Sequence, residues 1–176
     1  VKIIQSREVF SFSIDAILLA RFPRLPKRGK IVDLCAGNGA VGLFASSKTN
    51  AQIIELEIQE RLADMATRSI ELNGLTDRMS VINDNLNRAL DHLHTSSADL
   101  IFCNPPYFKV DSDESHLNES KHYTLARHEL TTNLDEIFSV SKKLLKTNGH
   151  IAMVHRPERF LEIVDKMRAN NLQPKW

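Results

Sequence analysis

A chain of 176 residues with 42% hydrophobic and 26% charged residues can fill one substantial core, and its composition is that of an ordinary soluble globular domain. No run of about 18 apolar residues is present to span a membrane, and the opening VKIIQSREVFSFSIDAILLARF lacks the charged-then-apolar order and the small-residue cleavage site of a signal peptide. The net charge of +1 conceals a polarity along the chain: residues 1–30 hold seven Lys/Arg against two acids, residues 141–176 eight against three, and residues 31–140 eight against seventeen. Basic flanks suit a polyanion such as nucleic acid, and suit plain solvation equally well.

In chain order, KIVDLCAG (30–37) reads as a first buried strand running into a glycine turn, with a helix after Gly39. AQIIELE (51–57) is a second strand. A helix from about Gln59 to Asn73 then ends at Gly74, where a left-handed exit is expected. MSVIN (79–83) and ADLIFCN (98–104) are further strands. NLDEIFSVSKKLLK opens on Asn133, three residues before Glu136, in a capping pattern, and its Leu134, Ile137, Phe138, Leu144 and Leu145 share one helical face. GHIAMVH (149–155) closes the strand set, followed by a helix over about Pro157–Asn170 with proline in its first turn. Residues 108–132 form one long polar stretch, of the length at which loops are usually functional.

Strands alternating with helices predict an α/β, doubly wound, mostly parallel sheet covered on both faces. The reading is a single domain over 1–176, with an N-terminal segment (1–28) and a core (29–176). NNLQPKW stops where another strand is expected, which suggests a fragment. Cys35 and Cys103 each end an apolar run and are expected to be reduced and buried, in a cytoplasmic protein.

Four stretches carry chemistry. In VDLCAGNGAVG, Gly37 and Gly39 permit positive φ and close approach of a ligand at the carboxyl end of a strand. Gly42 completes the Gly-x-Gly-x-x-Gly spacing of a dinucleotide site, so an NAD-dependent oxidoreductase is a competing reading. Asp33 argues against it. A carboxylate there repels a pyrophosphate and suits the ammonium of an amino acid, which points to S-adenosyl-L-methionine. Glu57, twenty residues after Gly37, is placed to accept both ribose hydroxyls of a nucleoside. Glu55 lies on the same strand face but further from the strand's end. Asp84, or its neighbour Asn85, can accept from the exocyclic amine of adenine.

The fourth stretch is DLIFCNPPYF. Proline fixes its own φ and holds the preceding residue extended, so Asn104, Pro105 and Pro106 make a stiff corner. The Asn104 side-chain oxygen and the Pro105 carbonyl can then accept both hydrogens of a planar amine, favouring its pyramidal form in the transition state. Tyr107, with Phe108 behind it, offers a stacking face for a base. His92-x-His94 lacks a third ligand in register and reads as a solvated pair, so no metal is expected. Arg127-His128-Glu129 suits either an RNA phosphate or a salt-bridged helix start.

Together these residues resemble the class I S-adenosylmethionine-dependent methyltransferases. Within them the chain is similar to the bacterial enzymes that methylate N6 of the adenine beside the anticodon of a valine tRNA. The likeness runs through IIQSREVFSFSIDAILLARF, VDLCAGNGAVG, ELEIQERLADMATRSIELNGL, FCNPPYF, ARHEL and HRPERF. It implies a Rossmann-like sheet, with Asp33, Gly37, Gly39, Glu57, Asp84 and Asn85 on the cofactor, and Asp15 near its methionine end. Asn104, Pro105, Pro106 and Tyr107 would form the amine clamp, and a flipped base of tRNA would be the substrate. Such enzymes usually carry an acid where this chain has Asn85, and a closing hairpin that this chain is expected to lack. Glutamine methylation of peptide release factors and guanine-N2 methylation of ribosomal RNA use related clamps and are the alternatives.

Overall fold

The computed structural model describes residues 1–6, 8–9, 11–105 and 133–175. Five strands make one parallel sheet in the order β3-β2-β1-β4-β5, with β1 Lys30–Asp33, β2 Gln52–Glu57, β3 Met79–Asn83, β4 Ala98–Cys103 and β5 Leu145–Met153. The chain winds outward from β1 through β2 to β3, then returns to start again at β4. The β1/β4 boundary is therefore the switch point where a crevice opens at the carboxyl ends of the strands. Asp33 pairs there with Phe102, and Asn104 follows two residues later.

Alternation along the strands sends neighbouring side chains to opposite faces. Ile31, Ile53, Leu100 and Phe102 pack under α1 (Ile14–Arg21), α2 (Ala40–Ser46) and α3 (Glu60–Leu72). Val32, Leu56, Ile101 and Cys103 pack under α4 (Ala89–His92) and α5 (Leu134–Leu144), with Ile163 and Met167 of α6 (Phe160–Ala169) at the edge. Both faces are covered, which is why these strands read as near-continuous apolar runs.

Local signals set the boundaries. The α3 exit is closed by Gly74 at φ +64, with Gly74 N–H donating to Glu71 and Leu75 N–H to Ile70, a Schellman pattern. Asn133 caps α5 by accepting the Asp135 N–H at 2.9 Å. Leu145, expected on the helix, instead begins β5, four residues before the predicted strand. Within this strand Asn148 takes φ +63 and the pairing with β4 shifts register, from Ala98 with Leu145 to Leu100 with His150. Pro157 opens a 3₁₀ turn, Pro157–Arg159, and the last α-helix starts after it, at Phe160.

The N-terminal segment is integral to the domain. Lys2 N–H donates to Asn73 Oδ1 at 2.9 Å and Ile4 N–H to Ser69 Oγ at 2.9 Å, fastening the segment along α3. It then feeds α1, whose Ala16, Leu19 and Ala20 are buried and whose N-terminal approach stacks Phe12 edge-on against Phe44 of α2 at 5.6 Å. Truncating Phe102, fully buried at the centre of the sheet, is expected to cost about 3–5 kcal/mol of stability. The shift in the midpoint of denaturant unfolding of Phe102→Ala measures it.

Candidate functional site

The carboxyl edge of the sheet gathers the predicted residues from three adjacent strands. Asp33 ends β1, and the turn after it places Gly37 at φ +57 and Gly39 at φ +81, both left-handed. These conformations are costly for any residue with a Cβ. The space above Gly37 is open: a Cβ built there meets nothing within 4 Å. Glu57 ends β2 beside this turn. Its Oε2 accepts the Gly37 N–H at 2.7 Å and its Oε1 the Gln59 N–H at 2.8 Å, so the carboxylate is pinned while each oxygen keeps a lone pair for a further donor.

Burial dominates the electrostatics. Asp33 is wholly buried, and neither of its oxygens has a hydrogen-bond partner among the described residues. This burial pushes its carboxyl up to about 7. The Cys35 N–H pulls the other way without closing a hydrogen bond, and the charge of Glu57 raises it further. Glu57 is also raised by burial, an effect moderated by the N–H groups of Gln59, Gly37 and Ile58.

The residue that sequence reasoning ranked second, Glu55, occupies the centre of this arrangement. It is fully buried, its oxygens have no partner among the described residues, and burial followed by the charges of Asp33 and Glu57 pushes its carboxyl well above the usual range. Glu55 sits in the space left by two glycines: a Cβ on Gly39 would lie 2.5 Å from Oε2, and one on Gly42 would lie 2.3 Å from Oε1. Gly42 is thus accounted for by close packing of α2 on β2. Strand alternation, which put Glu55 and Glu57 on one face, was the signal for it.

Asp84 and Asn85 follow β3 and are engaged locally. Asp84 accepts the Asn85 N–H at 2.8 Å, pairs with His92 Nε2 at 2.8 Å and with Arg88 at 3.4 Å. The His92 contact leads in holding its carboxyl below the ordinary range. Asn85 Oδ1 accepts the Asn87 N–H at 2.9 Å, capping the 3₁₀ turn Leu86–Arg88. His92, read as a solvated residue, is therefore bonded to an acid, and among the described residues no cluster of His, Cys, Asp and Glu could hold a metal ion. Asp15 lies in the first turn of α1, where the Ser13 hydroxyl donates to its carboxylate at 3.1 Å and accepts its N–H at 3.3 Å. Asn38, not singled out from sequence, is buried inside the glycine turn and donates to Ile4 O at 3.2 Å, tying the N-terminal segment to the site.

Asn104 and the buried Pro105 leave β4 at the switch point. Pro106, Tyr107, Phe108 and Arg127-His128-Glu129 lie outside the described residues. Cys35 and Cys103 are free thiols 4.0 Å apart, the first half-exposed and the second buried.

A five-stranded parallel sheet in this order, with a glycine turn after β1 and an acid ending β2, is a Rossmann-like fold of the kind that class I methyltransferases share. Residues 20–158 match the sequence family described as Conserved hypothetical protein 95, and the chain belongs to that family. It is 26% identical to the tRNA1(Val) (adenine(37)-N6)-methyltransferase of Shewanella sediminis, over 81% of this chain and 58% of that one. To the enzyme of the same name from Parabacteroides distasonis it is 28% identical, over 91% and 65%. The chain thus spans about three-fifths of the length of these curated relatives. Among solved structures, the geranyl diphosphate C-methyltransferase of Streptomyces coelicolor, in complex with S-adenosyl-L-homocysteine, superposes with TM-score 0.66 at 13% identity, covering 89% of this chain and 57% of that one.

Two outcomes follow from the buried acids. Between pH 4 and 7 the folded Asp33 keeps a proton that the unfolded chain has lost, so its share of the stability falls as pH rises through that window, beside falls of the same sign from Glu55 and Glu57, whose carboxyls burial also raises. Asp33→Asn should flatten this slope and raise stability at pH 8 by roughly 1–3 kcal/mol, read by thermal or urea unfolding of the ligand-free protein. Alanine normally improves on glycine within a helix by about 1 kcal/mol. Gly42→Ala should instead cost about 1–3 kcal/mol because its methyl meets Glu55, and a Glu55→Ala background should remove that cost in a double-mutant cycle.

Proposed function

We propose that the chain binds S-adenosyl-L-methionine at the carboxyl edge of its sheet and methylates the exocyclic N6 of the adenine at position 37, beside the anticodon of a valine tRNA. The observation carrying this reading is the convergence at the β1/β4 switch point of an orphaned buried carboxylate, an open glycine turn, a pinned ribose-type acid and an Asn-Pro corner. The names of the relatives select adenine in tRNA over the release-factor and guanine alternatives. The homocysteine complex of the structural neighbour supports the choice of cofactor over a nicotinamide.

The residues fit such a ligand. Asp33 has two unpartnered oxygens able to receive an ammonium group, which would convert a buried, proton-holding acid into an ion-paired carboxylate. Gly37 leaves room for the ligand above the turn, Glu57 has lone pairs for the ribose hydroxyls, and the Asp84–Asn85 turn is assigned to the adenine ring. Asp15 is assigned to the methionine end. The bound cofactor supplies an electrophilic sulfonium methyl group.

For the substrate, the Asn104 side-chain oxygen and the Pro105 carbonyl are assigned to accept the two N6 hydrogens, and Pro106 and Tyr107, outside the described residues, are assigned to the same clamp from sequence alone. Holding both hydrogens orients the nitrogen lone pair and favours the pyramidal geometry of the transition state, so positioning supplies most of the acceleration.

Mass spectrometry of nucleosides from a valine tRNA transcript incubated with the protein and labelled methyl donor should give N6-methyladenosine. Asn104→Ala should lower the methylation rate by at least about 100-fold, on the scale of a lost transition-state hydrogen bond. Its affinity for S-adenosyl-L-homocysteine, measured by calorimetry, should stay within a few-fold. Label appearing only on a release-factor glutamine, or tight NADH binding with none for the homocysteine, would overturn the reading.

A further inference from the structure

The opposite end of the sheet carries a feature that methyl transfer does not use. At the amino ends of the strands an open depression of about 520 Å³ is lined by Arg28, Lys30, Asn50, Gln52, Ser97 and Lys146. Its cations come from both basic flanks of the sequence, Arg28 from the segment before β1, Lys30 from the first position of β1 and Lys146 from the start of β5. The fold joins what the chain separates by more than a hundred residues.

The depression is built around Asp99. This carboxylate accepts the Lys30 N–H at 2.8 Å and grips Lys146 Nζ at 2.8 and 2.9 Å with its two oxygens. Gly29 is required beside it, at φ +105, because a Cβ there would lie 2.2 Å from Asp99 Oδ2. Asp99 offsets one of the three cations, leaving a surplus of positive charge on Arg28 and Lys30. The approach adds to it: Arg21, Arg24 and Lys27 are exposed, form no ion pair among the described residues, and no acid occurs between residues 16 and 32.

The nucleoside end gathers acids instead, with Asp33, Glu55 and Glu57 on adjacent strand ends and Asp84 following β3. A polynucleotide offering a base to that end brings phosphates toward carboxylates, so its backbone must be held elsewhere. β1 is four residues long, so floor and site are separated by a strand rise of only about 10 Å. That is well within a duplex that carries a charge every ~1.7 Å.

We infer that this basic floor is a second RNA contact that grips phosphates of the substrate's backbone away from the target base. The inference rests on the proposal that RNA is the substrate. The amides of Asn50 and Gln52 and the hydroxyl of Ser97 add neutral donors to the cations, a mixture suited to phosphate oxygens.

The test is fluorescence anisotropy of a labelled tRNA transcript against the full chain at several salt concentrations. Arg28→Ala combined with Lys30→Ala should weaken binding about 3–10-fold. The slope of log K against log salt should shrink by about 1–2, as expected when one or two phosphate contacts are lost. Affinity for S-adenosyl-L-homocysteine should not change. Should the double variant lose its cooperative thermal transition, Arg28→Gln replaces it, with a slope loss of about 1 expected.

An unchanged slope in a folded variant overturns the inference. So does weakened binding to phosphatidylglycerol vesicles with tRNA affinity intact, which would make the floor a lipid contact. Competition by millimolar inorganic phosphate that is lost in the variant, with tRNA binding untouched, also overturns it in favour of a small-anion site. The two proposals fail separately. Arg28-dependent tRNA binding without methyl transfer removes the substrate reading and leaves this one, and methyl transfer with a wild-type slope in the variant does the reverse.

Discussion

Burying a carboxylate without a partner is among the costlier things a fold can do, and this domain places two such acids, Asp33 and Glu55, beside a third that is hydrogen-bonded, Glu57. Asp33, Glu55 and Glu57 share one face of two adjacent parallel strands because each strand alternates with a period of two, so the arrangement cannot be relaxed by rotating a single side chain. The domain handles each acid differently. Among the described residues, Glu57 is satisfied by two backbone N–H groups, Glu55 is packed against two glycines without a partner and its carboxyl is pushed up by burial, and Asp33, also without a partner, ends β1 at the crevice. An unsatisfied buried acid at the end of a strand carries a desolvation cost that a cationic partner would offset.

The glycines of the turn divide into two kinds on the same grounds. Gly37 is open on its Cβ side and has positive φ, which is what approach of a ligand requires. Gly39 and Gly42 are closed by Glu55, and their lack of a side chain serves packing between α2 and β2. A spacing of glycines that by letter resembles a pyrophosphate-binding turn is thereby explained without one.

The same strand direction that collects acids at one end collects cations at the other. Lys30 begins β1 and Asp33 ends it, so a single four-residue strand runs from a basic floor to an acidic rim. Such polarity suits a macromolecular anion that must be attracted to the domain as a whole while only one of its bases enters the site. The N-terminal segment links the two ends mechanically, bonding to α3 and to Asn38 in the glycine turn before α1 runs beside α2 toward the floor.

Much of this was legible from residue order. Strands β2, β3 and β4 lie within a residue or two of where apolar runs placed them, and the α3 exit at Gly74 and the Asn133 cap follow from local backbone chemistry acting over four or five residues. What differed is the start of β5: Leu145, expected on the helical face, pairs with Ala98, and after an irregularity at Asn148 the pairing resumes at His150 with Leu100, close to the expected strand. The packing of helix α1 and the burial of Glu55 depend on partners far along the chain or on facing elements, and no window of sequence contains them. Sequence alone thus determined the class of the domain and which acids and glycines border its crevice, since strand period and turn chemistry are local. Only tertiary structure decided which of those acids is pinned and which are buried without a partner, and brought two distant basic segments to one floor, because burial and charge summation are properties of packed neighbours.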